Sequence, residues 1–329
     1  MNRIFRKTIL FLTLSFICCF EASAYATRVI PMGKTVGVKI YTDGLLVIGS
    51  SEINGENIAK KYDIRVNDRI TEINGEIADT SEKLSEIVNK NPDGVNLKIA
   101  RDNQNLEINA VPALSEDNVY RLGLWVRDST AGIGTVTYYD PATKNFAALG
   151  HCINDVDTGN ILSVKSGNIL NCNILSVTKS KKGSPGEING AFDGDNIGNV
   201  TINSQIGIFG KMTCDEFDNA GEALPIAARE QVHEGEAYIL SDAFEKENNK
   251  YSIEIKKITN AADKSLVVEI TDSRLKEMSG GIIQGMSGSP IIQDGMLVGA
   301  VTHVFVNHPT KGYGALAENM IDIQTKAEM

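Results

Sequence analysis

A serine in a glycine-rich turn is the residue of this chain best suited to act as a nucleophile. Ser287 lies in the hexapeptide Gly-Met-Ser-Gly-Ser-Pro at 285–290, between short apolar runs typical of buried strands. The glycines allow a sharp turn that exposes the Oγ atom and directs backbone N–H groups to the same space, as an oxyanion hole requires. Ser289 is the alternative nucleophile, and a plain hairpin loop is the non-catalytic interpretation.

A nucleophilic serine needs a base, and two histidines could supply it. His151 follows the apolar segment Ala147–Leu149, whereas His303 follows the apolar run that comes after the serine. A third histidine, His233, lies in an acidic polar loop and is expected at the surface. The base in turn needs a carboxylate that orients its ring. The residues alone leave that choice open, and the candidates near His151 or in loops are Asp155, Asp157, Asp193 and Asp195.

Composition and charge exclude several classes of function. The chain has 329 residues, 42% apolar and 22% charged, which is ordinary for a globular protein of two or three domains. Its net charge of -10, with no basic stripe, argues against a nucleic-acid partner. No Cys-x-x-Cys or His-Glu-x-x-His pair is present, so we expect no metal and no cofactor.

The N-terminal 24 residues have the pattern of a secretory signal. Arg3, Arg6 and Lys7 precede an apolar run at 8–20, and Ala-Ser-Ala at 22–24 fits a cleavage site. The run is shorter than the roughly 20 residues of a typical membrane span, yet an uncleaved anchor stays open. Beyond this segment an odd number of cysteines remains, so at most one disulfide can form. Whether one forms is left open among Cys152, Cys172 and Cys214.

The remainder divides into two units of different pattern. Residues 35–113 combine alternating strands, among them Val36–Ile40, with a helix predicted from Ser81 to Lys90 and capped by Thr80 or Ser81. A polar linker is predicted at 114–121. Residues 122–326 show many short apolar runs separated by turn residues, which predicts an all-β barrel or sandwich large enough for two small barrels.

The first unit resembles a bacterial PDZ domain. The resemblance depends on Asn-Asp-Arg-Ile-Thr-Glu-Ile-Asn-Gly at 67–75, on the helix after it, and on Gly-Leu-Leu-Val-Ile-Gly at 44–49. It implies a groove in which a peptide adds as a strand to an exposed sheet edge. A purely structural role in the core is the alternative for each apolar residue there. The residues expected to border the groove are Leu45, Leu46, Val47 and Ile48.

The second unit resembles the SpoIVB peptidase family, whose members are chymotrypsin-like serine peptidases. The stretches that carry this resemblance are 149–159, 280–292, 297–307 and 311–314. The family implies a mainly β fold in which an α+β PDZ domain is followed by a double β-barrel. By position in the family pattern, Ser287 is the nucleophile and His151 the base. The same pattern implies that Asp272 orients His151 and that Gly285 and Ser287 supply the oxyanion N–H groups.

The family resemblance also implies a biological setting. Its members are exported from the forespore into the intermembrane space, where they cleave themselves and a membrane-bound regulator of an intramembrane metalloprotease. That cleavage activates a mother-cell sigma factor during sporulation. The competing interpretation is a non-catalytic PDZ scaffold, or signalling protein, with a degenerate peptidase barrel. An esterase is disfavoured because Gly-Met-Ser-Gly-Ser at 285–289 lacks the last glycine of a Gly-x-Ser-x-Gly elbow.

Overall fold

The structure is a computed structural model, and strands make up most of it. It describes residues 27–327 except 103, 216, 218–219 and 246–248, and it leaves out the side chains of 193 and 327. The predicted signal or anchor at 1–24 therefore lies outside the described residues. Within the described part, no helix combines the length and the apolar character that a membrane span requires.

The strands are β1 (Arg28–Ser50), β2 (Arg69–Ile73), β3 (Glu76–Ile77), β4 (Val95–Arg101), β5 (Gln104–Ala110), β6 (Ala113–Leu114), β7 (Tyr120–Arg121), β8 (Leu124–Tyr139), β9 (Asn145–Ala148), β10 (Val164–Thr178), β11 (Glu187–Ser204), β12 (Gly207–Met212), β13 (Leu224–Pro225), β14 (Gly235–Leu240), β15 (Lys250–Ile258), β16 (Leu266–Ile270), β17 (Pro290–Gln293), β18 (Met296–Phe305) and β19 (His308–Leu316). The α-helices are α1 (Ile58–Lys61), α2 (Ser81–Lys90), α3 (Ser273–Ser279) and α4 (Ala317–Ala327).

Strand β1 and the five strands from β8 to β12 close a first barrel. The order β10-β11-β12-β9-β8-β1 is completed by pairing of β1 with β10. Val36, Val38 and Ile40 of β1 alternate into its apolar interior. The predicted assignment of this run to the PDZ unit is wrong. Its cross-strand partners lie in β8 and β10, which local alternation cannot reveal.

A second closed barrel follows in the order β14-β15-β16-β19-β18-β17. Its interior is a continuous cluster of aliphatic side chains that includes Ile253, Val268 and Val298. The C-terminal helix α4 sits where the two barrels meet, and its Met320 packs with Tyr138 of the first barrel. The predicted fold class is confirmed: the chain is mainly β, with a double β-barrel and an α+β unit.

The PDZ-like unit comprises residues 44–123, so it begins in the last part of β1 and ends just before β8. It contains β2 to β5, α1 and α2 around their own apolar core. Helix α2 begins as predicted, because the Thr80 hydroxyl accepts the N–H of Lys83. Since β1 continues from the barrel into this unit and the first residues of β8 pair with that part of β1, the unit is an insertion held by two long strands. The predicted linker at 114–121 is instead part of a small hairpin, in which β6 pairs with β7.

Candidate active site

The predicted nucleophile and base face one cleft between the two barrels. The cleft has a volume of about 560 Å³ and is lined by His151 from the first barrel and by Ser287 and His303 from the second. His151 follows β9, Ser287 precedes β17, and His303 lies on β18. Much of the remaining lining is aliphatic, including Ile133 and Ile283. The fold therefore joins residues that are more than a hundred positions apart.

The turn that carries Ser287 requires glycine on both sides. Gly285 and Gly288 both have a φ of 99°, which favours glycine. A Cβ at Gly288 would also lie 1.9 Å from the carbonyl oxygen of Thr135, so no side chain fits there. Thr135 holds the turn from β8: its N–H donates to the Ser287 carbonyl at 2.9 Å and its hydroxyl to the Gly285 carbonyl at 2.7 Å.

Two backbone donors in this turn have no acceptor within the described part of the chain. The N–H groups of Gly285 and Ser287 make no hydrogen bond there. By contrast, the N–H of Gly288 donates to the carbonyl oxygen of Val301 in β18 at 2.8 Å. Nearly all buried backbone N–H groups of a folded protein are paired with protein or water, so two donors that line the cleft without a protein acceptor are available to a bound group. Donors in this arrangement can bind the oxyanion of a tetrahedral intermediate.

His151 has its proton positions set by a backbone carbonyl. Its Nδ1 lies 2.7 Å from the carbonyl oxygen of Cys152, so Nδ1 carries the proton that is donated and Nε2 keeps a lone pair. Burial lowers the pKa of His151 below its ordinary value, with the Cys152 carbonyl acting in the opposite direction. The ring is therefore neutral near pH 7, as a general base must be.

The Ser287 hydroxyl is directed at a carbonyl in the state that the structure shows. Its Oγ donates to the carbonyl of Thr302 at 2.7 Å, and no hydrogen bond from it to His151 occurs among the described residues. Gly150 packs against Thr302, which keeps the histidine segment next to this carbonyl. For proton transfer, the Ser287 hydroxyl has to rotate from the Thr302 carbonyl to Nε2 of His151.

His303, the alternative base, lies beside His151. The two ring centroids are 4.6 Å apart with an interplanar angle of 37°. Desolvation lowers the pKa of His303, and the neighbouring His151 adds to this effect. Two protonated imidazoles this close would repel each other. Because the pKa of each ring is also lowered by burial, the pair stays neutral at pH 7.

Two other residues considered above, Ser289 and His233, do not line the cleft. Ser289 is fully buried, so its hydroxyl cannot reach a substrate and the alternative nucleophile is excluded. His233 is exposed and contacts Asp294 through Nε2 at 2.8 Å, as expected for a surface residue.

The prediction that Asp272 orients His151 is corrected by its surroundings. Asp272 is the N-cap of α3, and its carboxylate accepts the N–H of Leu275 at 3.1 Å and that of Ser252 at 3.4 Å. It also pairs with Arg274 at 3.4 Å. Because a carboxylate followed by a short helix satisfies that helix's first N–H groups, capping competes with any other role. Its described contacts include none with His151.

Two of the other acidic candidates, Asp155 and Asp157, are engaged elsewhere. Asp155 and Asp157 both form ion pairs with Arg127 of β8, and the side chain of Asp155 is fully buried. Asp193 and Asp195 lie within β11 rather than in a loop. The group that holds the ring of His151 is the Cys152 carbonyl, which sequence reasoning missed. No residue type signals it, because every residue has a carbonyl.

The predicted peptide groove does not have a vacant edge. Leu45, Leu46 and Val47 are buried, and this part of β1 pairs with β2 on one side and with β8 on the other. The expectation that 45–48 line an open groove is therefore corrected. The structure shows Cys152, Cys172 and Cys214 as thiols and not as a disulfide. Within its described residues no group of three or more potential ligand side chains could hold a metal ion.

Comparison with known proteins identifies the family. The family model described as SpoIVB peptidase S55 matches residues 118–321, which is more than half of the chain. A comparison with curated proteins found no match.

Solved structures show low overall similarity. A thermostable serine protease, AL20, from an extremophilic microorganism is 15% identical over 60% of this chain and 90% of its own, with a TM-score of 0.35. The active form of the Rv3671c protease from M. tuberculosis is 12% identical over 60% and 74%, with a TM-score of 0.33. The PDZ domain of an SdrC-like protein from Listeria monocytogenes is 20% identical over 26% and 87%, with a TM-score of 0.22. The assignment therefore rests on the family model: the chain belongs to the SpoIVB peptidase S55 family and is a serine endopeptidase with a PDZ-like unit.

Proposed function

We propose that Ser287 is the nucleophile of this peptidase and His151 its general base. The observation that carries this proposal is the pair of vacant N–H groups, of Gly285 and Ser287, beside the Ser287 hydroxyl in the cleft that His151 also lines. A barrel without catalytic function would not need two donors of the Ser287 turn to face the cleft without a protein acceptor. The scaffold interpretation therefore has less support than catalysis.

The proposed reaction follows from these positions. His151 Nε2 takes the Ser287 hydroxyl proton as Oγ bonds to the carbonyl carbon of the scissile peptide. The carbonyl oxygen becomes an oxyanion that accepts the N–H groups of Gly285 and Ser287. The C–N bond then breaks, and His151 returns the proton to the leaving amine. Water, activated by His151 in the same way, hydrolyses the acyl-serine and restores the hydroxyl.

In this mechanism a backbone carbonyl orients the histidine ring, a role that a carboxylate has in a Ser-His-Asp triad. The Cys152 carbonyl keeps the Nδ1 proton in place and so presents the Nε2 lone pair. A neutral acceptor stabilises the imidazolium less than an anion does, because charge-assisted hydrogen bonds are roughly twice as strong. We expect slower chemistry than in an enzyme with a carboxylate at that position.

The finer biological role is part of the same proposal. We infer that the substrate is a membrane-bound regulator of an intramembrane metalloprotease, and that the chain also cleaves itself in trans. Its action would activate a mother-cell sigma factor during sporulation. Family membership and the signal-like pattern at 1–24 support this role. The site of action would be the forespore intermembrane space, with the protein either released or anchored through residues 8–20.

A two-component cleavage assay tests the role. The purified chain is incubated with a tagged Ser287→Ala chain, and separately with the soluble part of the candidate regulator, and products are identified by mass spectrometry. We expect fragments in both mixtures and none when Ser287→Ala is incubated alone. Fragments of the tagged chain without an active partner would contradict cleavage in trans. An intact regulator, under conditions where the chain cleaves itself, would contradict the proposed substrate.

A further inference from the structure

The strand that borders the predicted peptide groove is paired on both edges. On one edge Leu46 pairs with Arg69 of β2. On the other edge the segment from Leu46 to Ser50 pairs antiparallel with residues 124–127 of β8, including Val47 with Val126. A peptide that binds a PDZ domain adds to a sheet at such an edge. In this chain β8 occupies the place that a peptide would take.

The side chains of β8 alternate as those of a bound peptide would. Leu124 and Val126 pack against the apolar core of the PDZ-like unit, to which Ile87 of α2 also contributes. Trp125, between them, points away and is 58% exposed. Alternate residues of an added strand enter pockets while the others face solvent. The first residues of β8 therefore have the contacts of a ligand.

A polar contact fixes the end of this segment. The carboxylate of Asp128 accepts the N–H of Ser81 at 3.1 Å and its hydroxyl at 3.3 Å. Ser81 is the first residue of α2, the helix that flanks the groove. A carboxylate is favoured at a helix N-terminus because the N–H groups there lack intrahelical acceptors. Asp128 thus joins β8 to the helix while Leu124 and Val126 join it to the core.

We propose that Leu124, Val126 and Asp128 act as an internal ligand of the PDZ-like unit, and that their binding positions the Ser287 turn. The second half of this proposal rests on the proposed catalytic role of Ser287. The first half, occupation of the groove, is independent of it. The unit then serves to hold β8, and a substrate tail has no vacant edge to bind.

The connection to the catalytic turn runs along a single strand. Arg127, one residue before Asp128, pairs with Asp155 and Asp157 in the segment that follows His151. Eight residues further along β8, Thr135 donates a hydrogen bond from its N–H and another from its hydroxyl to the Ser287 turn. Since β8 contacts the segments of both catalytic residues, its position sets their separation. Misplacement of reacting groups by about 1 Å can cost roughly 10²-fold in rate.

The proposal also predicts a competitor. A peptide that ends in an apolar residue and binds the PDZ-like unit has to displace β8, because both need the same edge of β1. Displacement would remove the support of Thr135 and slow the reaction at Ser287. Such a peptide would inhibit the enzyme, whereas a substrate-docking PDZ domain would bind it without loss of activity toward short substrates.

Val126→Ser and Val111→Ser form a matched pair for the test. Both replace a valine by serine, but Val126 packs against the core of the PDZ-like unit, whereas Val111, within that unit, is 43% exposed. The full chains are compared for binding of a fluorescent peptide with an apolar C-terminal residue, for hydrogen exchange of amides 45–50, and for the rate of fluorophosphonate labelling. Circular dichroism shows whether each variant is folded, and Asp128→Ala replaces Val126→Ser if the latter unfolds.

The expected result separates the two halves of the proposal. The unsubstituted chain and Val111→Ser bind the peptide much more weakly than Val126→Ser does, because the peptide has to displace β8, and they keep their amides protected. Val126→Ser gains peptide binding, exchanges faster at 45–50, and is labelled about 10²-fold more slowly. Equal peptide binding by the unsubstituted chain and Val126→Ser would overturn the internal ligand. An unchanged labelling rate in a variant with released amides would overturn the positioning role. If no chain is labelled, the proposed catalysis fails, while binding and exchange still decide the occupation of the groove.

Discussion

The substitution Gly285→Ala tests the oxyanion hole at the residue where its geometry is most restricted. Gly285 has a φ of 99°, and an added Cβ would lie 2.8 Å from Cδ1 and 3.0 Å from Cβ of Ile188. The end of the isoleucine can move, but its Cβ is fixed to the backbone of β11. The turn itself must therefore shift and carry the Gly285 N–H away from the oxyanion.

Gly285→Ala should change two quantities that are measured separately, the stability of the fold and the value of kcat. A non-glycine residue held in this backbone region costs of order 1–3 kcal/mol of stability. Loss of one oxyanion donor costs about 10²–10³-fold in kcat, or roughly 2.7–4 kcal/mol of transition-state stabilisation. Because the donor acts mainly on the oxyanion and not on the ground-state carbonyl, KM should change much less than kcat.

The assay is steady-state hydrolysis of a short peptide ester, with the active fraction counted by a fluorophosphonate. Gly295→Ala is the control, since Gly295 has a φ of 74° in the β17–β18 hairpin and no atom within 4 Å of an added Cβ. It should lose stability without losing kcat. A folded Gly285→Ala enzyme with unchanged kcat would show that the Gly285 N–H does not bind the oxyanion.

Three further predictions follow from the groups around the site. His151→Ala should lose as much activity as Ser287→Ala, because nucleophile and base act as a unit; measurable ester hydrolysis by only one of the two would contradict this. Activity should fall with decreasing pH along a limb whose apparent pKa lies below about 6.5, since burial lowers the pKa of His151 and only its neutral form accepts the proton; a kcat/KM profile with a higher value would count against His151 as the base. Asp272→Asn should keep both stability, within about 1 kcal/mol, and activity, because asparagine caps a helix as well as aspartate does; a loss near 10³–10⁴-fold in the folded variant would restore Asp272 as the orienting carboxylate.

Features set by neighbouring residues were predictable from the sequence. Helix α2 begins after Thr80, as expected from its capping residue. The turn at Ser287 follows from its glycines, whose backbone angles only glycine adopts readily. Each of these features depends on residues within a few positions, so the sequence carries the necessary information.

Features set by distant partners were not predictable. Val38 alternates as a strand of either unit would, and only its pairing with β8 and β10 places it in the barrel. Leu46 lies in the sequence motif that predicts a peptide groove, but β8 pairs with the strand edge that a peptide would need. The carboxylate was misassigned because a strand-end aspartate can orient a histidine or cap a helix, and the choice depends on how α3 packs. Backbone carbonyls, such as that of Cys152, leave no signal in residue types.

Mass spectrometry of the fluorophosphonate adduct tests the central claim most directly. The chain, its Ser287→Ala form and its Ser289→Ala form are incubated with the probe, digested and analysed, with circular dichroism as the check of folding. We predict an adduct on Ser287 in the unsubstituted chain and in Ser289→Ala, and none in Ser287→Ala. A folded chain that is not labelled, or an adduct that persists in Ser287→Ala, would contradict the assignment of Ser287 as the nucleophile.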